Sequence, residues 1–128
     1  MPNEDVDVVS DLLRAGGDEA RMESLTHPEC VIIEPVSLPY GGVYGGESAF
    51  TDLFADIYAD FATFDIDLQE LVSAGDRVLA EFTVTGTARE SDETFETSVV
   101  ELYRVEDGQI RETDVYYKEP TAVVETLT

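Results

Sequence analysis

The chain reads as an α+β protein, with a curved mixed or antiparallel sheet wrapped around one long helix and further helices at the N-terminus. Three observations predict this. Helical periodicity dominates the first half. From Phe64 onward the apolar residues recur at every second position, in four segments joined as hairpins. Between these regimes, an apolar strand ends in the carboxylate of Glu34 and runs into a loop of prolines and glycines, Pro35 to Gly46. Helices first and a strand meander afterwards make an α+β domain. Its twisted sheet is expected to curl around the long helix and leave a cavity between them.

The elements follow in order. Asn3 or Asp5 can cap a first helix on which Val6, Val9, Leu12 and Leu13 share a face, and Gly16-Gly17 stops it. Asp18 caps a short second helix, 19–25, which Pro28 closes off. Residues 30–34 form a brief strand. Helix 47–61 is the most regular element: Phe50, Leu53, Phe54, Ile57, Tyr58 and Phe61 form one stripe, opposite Asp52, Asp56 and Asp60. Phe64, Ile66 and Leu68 then alternate with Asp65 and Asp67, and Ala74-Gly75-Asp76 turns the chain. Strand 77–86 places Val78, Ala80, Phe82 and Val84 on one face. A polar loop near 88–93 leads to strand 94–105, and Glu106-Asp107-Gly108 turns into strand 109–117. Pro120 begins a short tail.

Length and composition limit the possible functions. A chain of 128 residues with 43% apolar content is one domain with a real core. Its 29 acidic residues face six arginines and the single Lys118, for a net charge of −22. Such a surface repels nucleic acid and anionic membrane. The charge fits either a basic partner protein or adaptation to high salt. Its spread along the whole chain and the scarcity of lysine favour the second, a halophilic type of composition. Cys30 is alone, so there is no disulfide framework. One His and one Cys without a ligand cluster predict no metal site, and no other cofactor is expected. An acidic N-terminus, Met1–Asp7, and the lack of a long apolar run predict a cytoplasmic protein.

The order of elements resembles the nuclear-transport-factor-2-like superfamily of cone-shaped domains, which includes ketosteroid isomerases, limonene epoxide hydrolases and SnoaL-like polyketide cyclases. The resemblance covers roughly residues 4–124. Its motifs are Glu34-Pro35 with Ser37-Leu38-Pro39-Tyr40-Gly41-Gly42 and Gly46 before the helix, and residues 101–110, Glu-Leu-Tyr-Arg-Val-Glu-Asp-Gly-Gln-Ile. In the ketosteroid isomerase pattern the acid before Pro-Val is the general base, which Glu34 matches. The acid before two apolar residues, Arg and an apolar residue is held protonated in an oxyanion hole, which Glu101 matches. That pattern's catalytic tyrosine falls near Ser10, and neither of the first two helices holds a Tyr. In the SnoaL-like branch an acid precedes a proline after the last strand, as in Glu119-Pro120. The resemblance also implies a homodimer through the open sheet face.

Residue chemistry gives the pair an independent rationale. A base beside a carbonyl must be ionised yet poorly solvated, and burial at a strand end can supply that for Glu34. Alternatively Glu34 is a solvated strand end, or accepts amide hydrogens from the glycine loop. Glu101 shares parity with Phe95, Val99, Tyr103 and Val105, so it is expected to face apolar groups and become a neutral acid. Equally, it can be held by Arg77, Arg104 or Tyr103. His27, Tyr40, Tyr58, Tyr103, Tyr117 and Glu119 complete the candidate ligand-binding set, suited to a small hydrophobic molecule with one or two polar groups. Three readings follow: a cofactor-independent isomerase or cyclase acting on a carbonyl compound, a non-catalytic binding domain, and an interaction module with a filled cone.

Overall fold

A computed structural model describes residues 2–128, with side chains from residue 4. The order is α1 (Pro2–Arg14), α2 (Glu19–Ser24), β1 (Thr26–Glu34), β2 (Gly42–Gly45), α3 (Ala49–Asp60), β3 (Phe61–Ala74), β4 (Arg77–Ala88), β5 (Thr94–Glu106), β6 (Gln109–Tyr117) and α4 (Pro120–Glu125). All six strands form one sheet in the order β2-β1-β6-β5-β4-β3. Only β1 and β6 run parallel; the other four pairings are antiparallel. The mixed curved sheet and its helices are the α+β architecture expected.

Several boundaries differ from the sequence reading, each for a local reason. Helix α1 already runs at Pro2, so Asp5 sits in its first turn rather than at a cap; Met1 and the side chain of Asn3 lie outside the described residues. Asp18 does cap α2, accepting from Arg21 N–H at 3.1 Å. Pro28 does not close α2, because Thr26 already belongs to β1. The β1–β6 register jumps from Thr26↔Ile110 to Val31↔Glu112, and Pro28 lies in that irregular stretch, where its missing N–H costs no ladder bond. The strand is therefore nine residues long rather than five.

The loop after Glu34 contains a short strand, β2, that pairs back on β1 from Val31↔Gly45 to Glu34↔Gly42. Gly41 sits where a Cβ would come within 2.1 Å of the Pro35 carbonyl oxygen, so the chain there needs glycine. Helix α3 spans 49–60 rather than 47–61, and Phe61 turns directly into β3 with extended backbone (φ −121, ψ 130). The tail carries α4, with Pro120 in its first turn and Val123 fully buried.

The core lies between one face of the sheet and the helices. On that face stand Val78, Ala80, Phe82 and Val84 of β4, all buried, with Val99 and Tyr103 of β5 and Ile32 of β1. Phe50, Leu53 and Ile57 of α3 and Val9 and Leu12 of α1 close over them. Tyr58, on the same helical stripe, remains partly exposed. No helix among the described residues is long and apolar enough to cross a membrane.

Candidate active site

Sheet register brings Glu34 and Glu101 to one face. Ile33 pairs with Asp114 of β6, so the next step of the register leads Glu34 to Val115, whose antiparallel partner is Glu101. The two carboxylates thus bracket Val115 across three adjacent strands, with backbones about 10 Å apart at the usual strand spacing.

Both line a cavity of about 300 Å³ between the sheet and the helices. Its apolar wall includes Leu53, Phe54, Phe64 and Phe82, while Tyr58, Tyr103 and Tyr117 add hydroxyl-bearing rings. The exposed side chains of Arg14 and Asp65 also border it. Apolar rings and aliphatic side chains share the wall with carboxylates and hydroxyls, a lining suited to a small molecule with both an apolar body and polar groups.

The two acids differ in environment. Glu34 is 5% exposed, and its Oε1 has no hydrogen-bond partner. Burial, reinforced by the charge of nearby Glu101, pushes its carboxyl up to about 9. Glu101 remains partly accessible and accepts a hydrogen bond from the Tyr103 hydroxyl at Oε1. Burial raises it only to about 7, because the tyrosine proton favours the ionised form. No Lys or Arg among the described residues hydrogen-bonds either carboxylate, so Arg77 and Arg104 are not partners of Glu101. Arg104 instead pairs with Asp76 at 2.7 Å and Glu112 at 3.3 Å.

The remaining sequence-selected residues separate into two groups. Tyr58, Tyr103 and Tyr117 join the carboxylates around the cavity. Tyr40 lies behind it, 2% exposed, with its ring edge-on to Phe61 and Phe64 and its hydroxyl 2.7 Å from that of Tyr117. His27 and Glu119 are not among the cavity-lining residues. His27 accepts Glu29 N–H at Nδ1 (3.0 Å) and places Nε2 2.9 Å from Glu106 Oε2. Glu119 is exposed at the start of α4, its backbone N–H donating to Thr97.

His27, Glu106 and Asp107 place three potential metal donors within 4.8 Å of one another. Accepting at Nδ1 leaves the proton of a neutral His27 on Nε2, where it faces Glu106. That arrangement satisfies the ring without an ion. Cys30 is buried, and burial pushes its thiol up to about 11, which leaves no thiolate for nucleophilic chemistry. Sequence reasoning missed the contribution of Phe82, whose alternation marked it as core, and of Arg14, which ends α1 without any motif.

An α+β domain whose six-stranded sheet curls over a cavity closed by helices defines the class of cone-shaped folds. Residues 9–113 match the family described as SnoaL-like domain, and the chain belongs to that family. No curated protein matches the sequence. Among solved structures, an NTF2-like protein from Burkholderia thailandensis E264 is 23% identical over 96% of each chain, with a TM-score of 0.88. TerC, crystallised with polyporic acid, is 17% identical over 99% of this chain and 98% of its own, at 0.83. IdmH of Streptomyces antibioticus, a candidate polyketide cyclase, is 21% identical over 99% and 98%, at 0.78. At these identities the likeness establishes the cone-shaped fold.

Proposed function

We propose that the chain is a single SnoaL-like domain acting as a cofactor-independent acid/base enzyme, an isomerase or cyclase, on a small hydrophobic carbonyl compound. One observation carries the reading. Two carboxylates with no hydrogen-bonded basic partner line the same cavity, and their surroundings separate their proton affinities. The co-crystallisation of TerC with polyporic acid and the identification of IdmH as a candidate polyketide cyclase support a small organic ligand for this fold.

The environments favour a division of labour opposite to the one implied by resemblance. Glu101, with Oε1 held by Tyr103, ionises first, leaving Oε2 to remove a proton beside the carbonyl. The C–H bond breaks, its electron pair moves into the enolate, and the neutral Glu34 carboxyl donates a hydrogen bond to the enolate oxygen. Return of the proton from Glu101 to another carbon completes an isomerisation, with no net oxidation and no cofactor.

Deuterium exchange at the methyl group of 2-acetylnaphthalene and related ketones, followed by NMR, tests this. Wild type is expected to exceed buffer, with Glu101→Gln at the buffer rate and Glu34→Leu, which removes the donor, lowered roughly 10²-fold or more. Wild-type exchange at the buffer rate for every ketone would leave a pocket that binds without turning over.

The outward face of the sheet supports a homodimer. Val43, Ile33 and Tyr116 are exposed on adjoining strands, and register places Val100 and Leu102 beside them. The acidic composition supports the reading of adaptation to high salt.

A further inference from the structure

We infer that Tyr117 donates the hydrogen bond that holds the ligand's acceptor oxygen, and that Tyr40 is the positioning residue that leaves the Tyr117 proton free to do so. The argument is one of proton accounting. The hydroxyls of Tyr40 and Tyr117 lie 2.7 Å apart, and neither has another partner among the described residues. One proton occupies the shared bond and the other points elsewhere. If Tyr117 donated to Tyr40, the spare proton would belong to Tyr40, which is 2% exposed and packed edge-on against Phe61 and Phe64. A buried donor without an acceptor is unfavourable. If Tyr40 donates to Tyr117, the spare proton belongs to the ring that lines the cavity. The second arrangement leaves nothing orphaned once a ligand is present.

Among the cavity tyrosines this role falls to Tyr117. The Tyr103 proton is already directed to Glu101, and Tyr58 is partly exposed on α3. Burial, together with the charge of ionised Glu101, holds the Tyr117 phenol well above its ordinary range. It therefore enters the reaction as a donor and not as a phenolate. The ligand it fits carries a carbonyl, enolate or phenolate oxygen on an apolar body, oriented with that oxygen toward the carboxylates. As a catalytic assignment this rests on the acid/base reading above; as ligand recognition it stands without turnover.

The test compares two probes of nearly equal shape, 2-acetylnaphthalene, which has an acceptor oxygen, and 2-isopropenylnaphthalene, which has none. Dissociation constants are measured by ligand-detected NMR. In wild type the ketone is expected to bind more tightly. Tyr117→Phe should weaken the ketone by about 5–10-fold and leave the hydrocarbon unchanged. Tyr40→Phe should weaken the ketone by about 2–3-fold, since Tyr117 keeps its hydroxyl and loses its orientation. Because Tyr117→Phe strands the Tyr40 hydroxyl, the doubly substituted Tyr40→Phe, Tyr117→Phe protein, which leaves no stranded hydroxyl, should show the same ketone loss. An equal loss for both probes, or none for the ketone, overturns the assignment. Ketone-specific loss without any wild-type proton exchange would retire the acid/base reading and keep the donor.

Discussion

The hydroxyl of Tyr103 donates to Oε1 of Glu101, two positions back along the same face of β5. This bond, made within one strand, contributes to the difference between the two cavity acids, alongside the deeper burial of Glu34 and the Glu101 charge beside it. Removing the donor in Tyr103→Phe deletes the interaction that favours ionised Glu101, so its titration should move up from about 7 toward that of Glu34. Carboxyl-carbon NMR of the labelled protein reads the shift directly. An unmoved Glu101 signal would show that the tyrosine proton is directed elsewhere.

The same separation predicts a pH profile. Activity requires ionised Glu101 and protonated Glu34, so the exchange rate should rise through about 7 and fall through about 9. Glu34→Gln keeps the rising limb and loses the falling one. A single rising limb in wild type would remove Glu34 from the donor role.

Glu34 also carries a stability signature. Its unfolded-state pKa is near 4.5 and its folded-state value is raised to about 9, so between these values the folded protein holds a proton that the unfolded chain has lost. Stability contributed by this group therefore falls as pH rises through that window, with a limiting slope of about 1.4 kcal/mol per pH unit. Relative to wild type, Glu34→Gln should gain stability from pH 5 to 9, with the melting temperature rising by roughly 3–5 °C per kcal/mol. Parallel melting curves for the two proteins across that range would contradict the buried, unpartnered carboxyl.

Much of the lining of this cavity was legible in the sequence, and the misses have physical causes. Glu101 declared its face by parity with Val99 and Tyr103, and Glu34 by ending an apolar strand. The helix end at Phe61 was invisible because Phe61 continues the spacing of Ile57 and Tyr58, so the same side chain fits both a helical stripe and the first buried position of β3. Strand β2 escaped because its glycines carry no β signal; pairing with β1 creates it. Sequence identified tyrosines without revealing their hydroxyl partners, since Tyr40 and Tyr117 are 77 positions apart.

Gly41 provides a sharp test of the loop that follows Glu34. A Cβ there would lie 2.1 Å from the Pro35 oxygen and 3.0 Å from the Leu38 oxygen, both backbone atoms in consecutive turns. Gly41→Ala must push the turn apart and should cost about 1–3 kcal/mol or more, also displacing Tyr40. Gly45→Ala is the matched control, because its Cβ would meet only the Cys30 oxygen at 3.8 Å, an ordinary contact. Denaturant midpoints that fall equally for both variants would show that the close approach at Gly41 is not the cause.

The exposed apolar patch and the acidic surface make linked demands on assembly. Ile33 pairs with Val43 on one side and Asp114 on the other, and Tyr116 lies two positions beyond Asp114, its hydroxyl bonded to that carboxylate at 2.8 Å. A second copy covering this face would bury apolar side chains while bringing two strongly acidic molecules together, so salt that screens the −22 charge should favour both folding and association. Raising KCl from 0.1 to 2 M is expected to increase the melting temperature by several degrees and to shift the mass measured by light scattering toward twice 14.1 kDa. Ile33→Glu with Tyr116→Glu should hold the protein at 14.1 kDa in high salt while the salt-dependent rise in melting temperature persists in reduced form. A mass independent of both salt and these substitutions would argue against a dimer through this face, and a melting temperature indifferent to salt would argue against adaptation of the acidic surface to it.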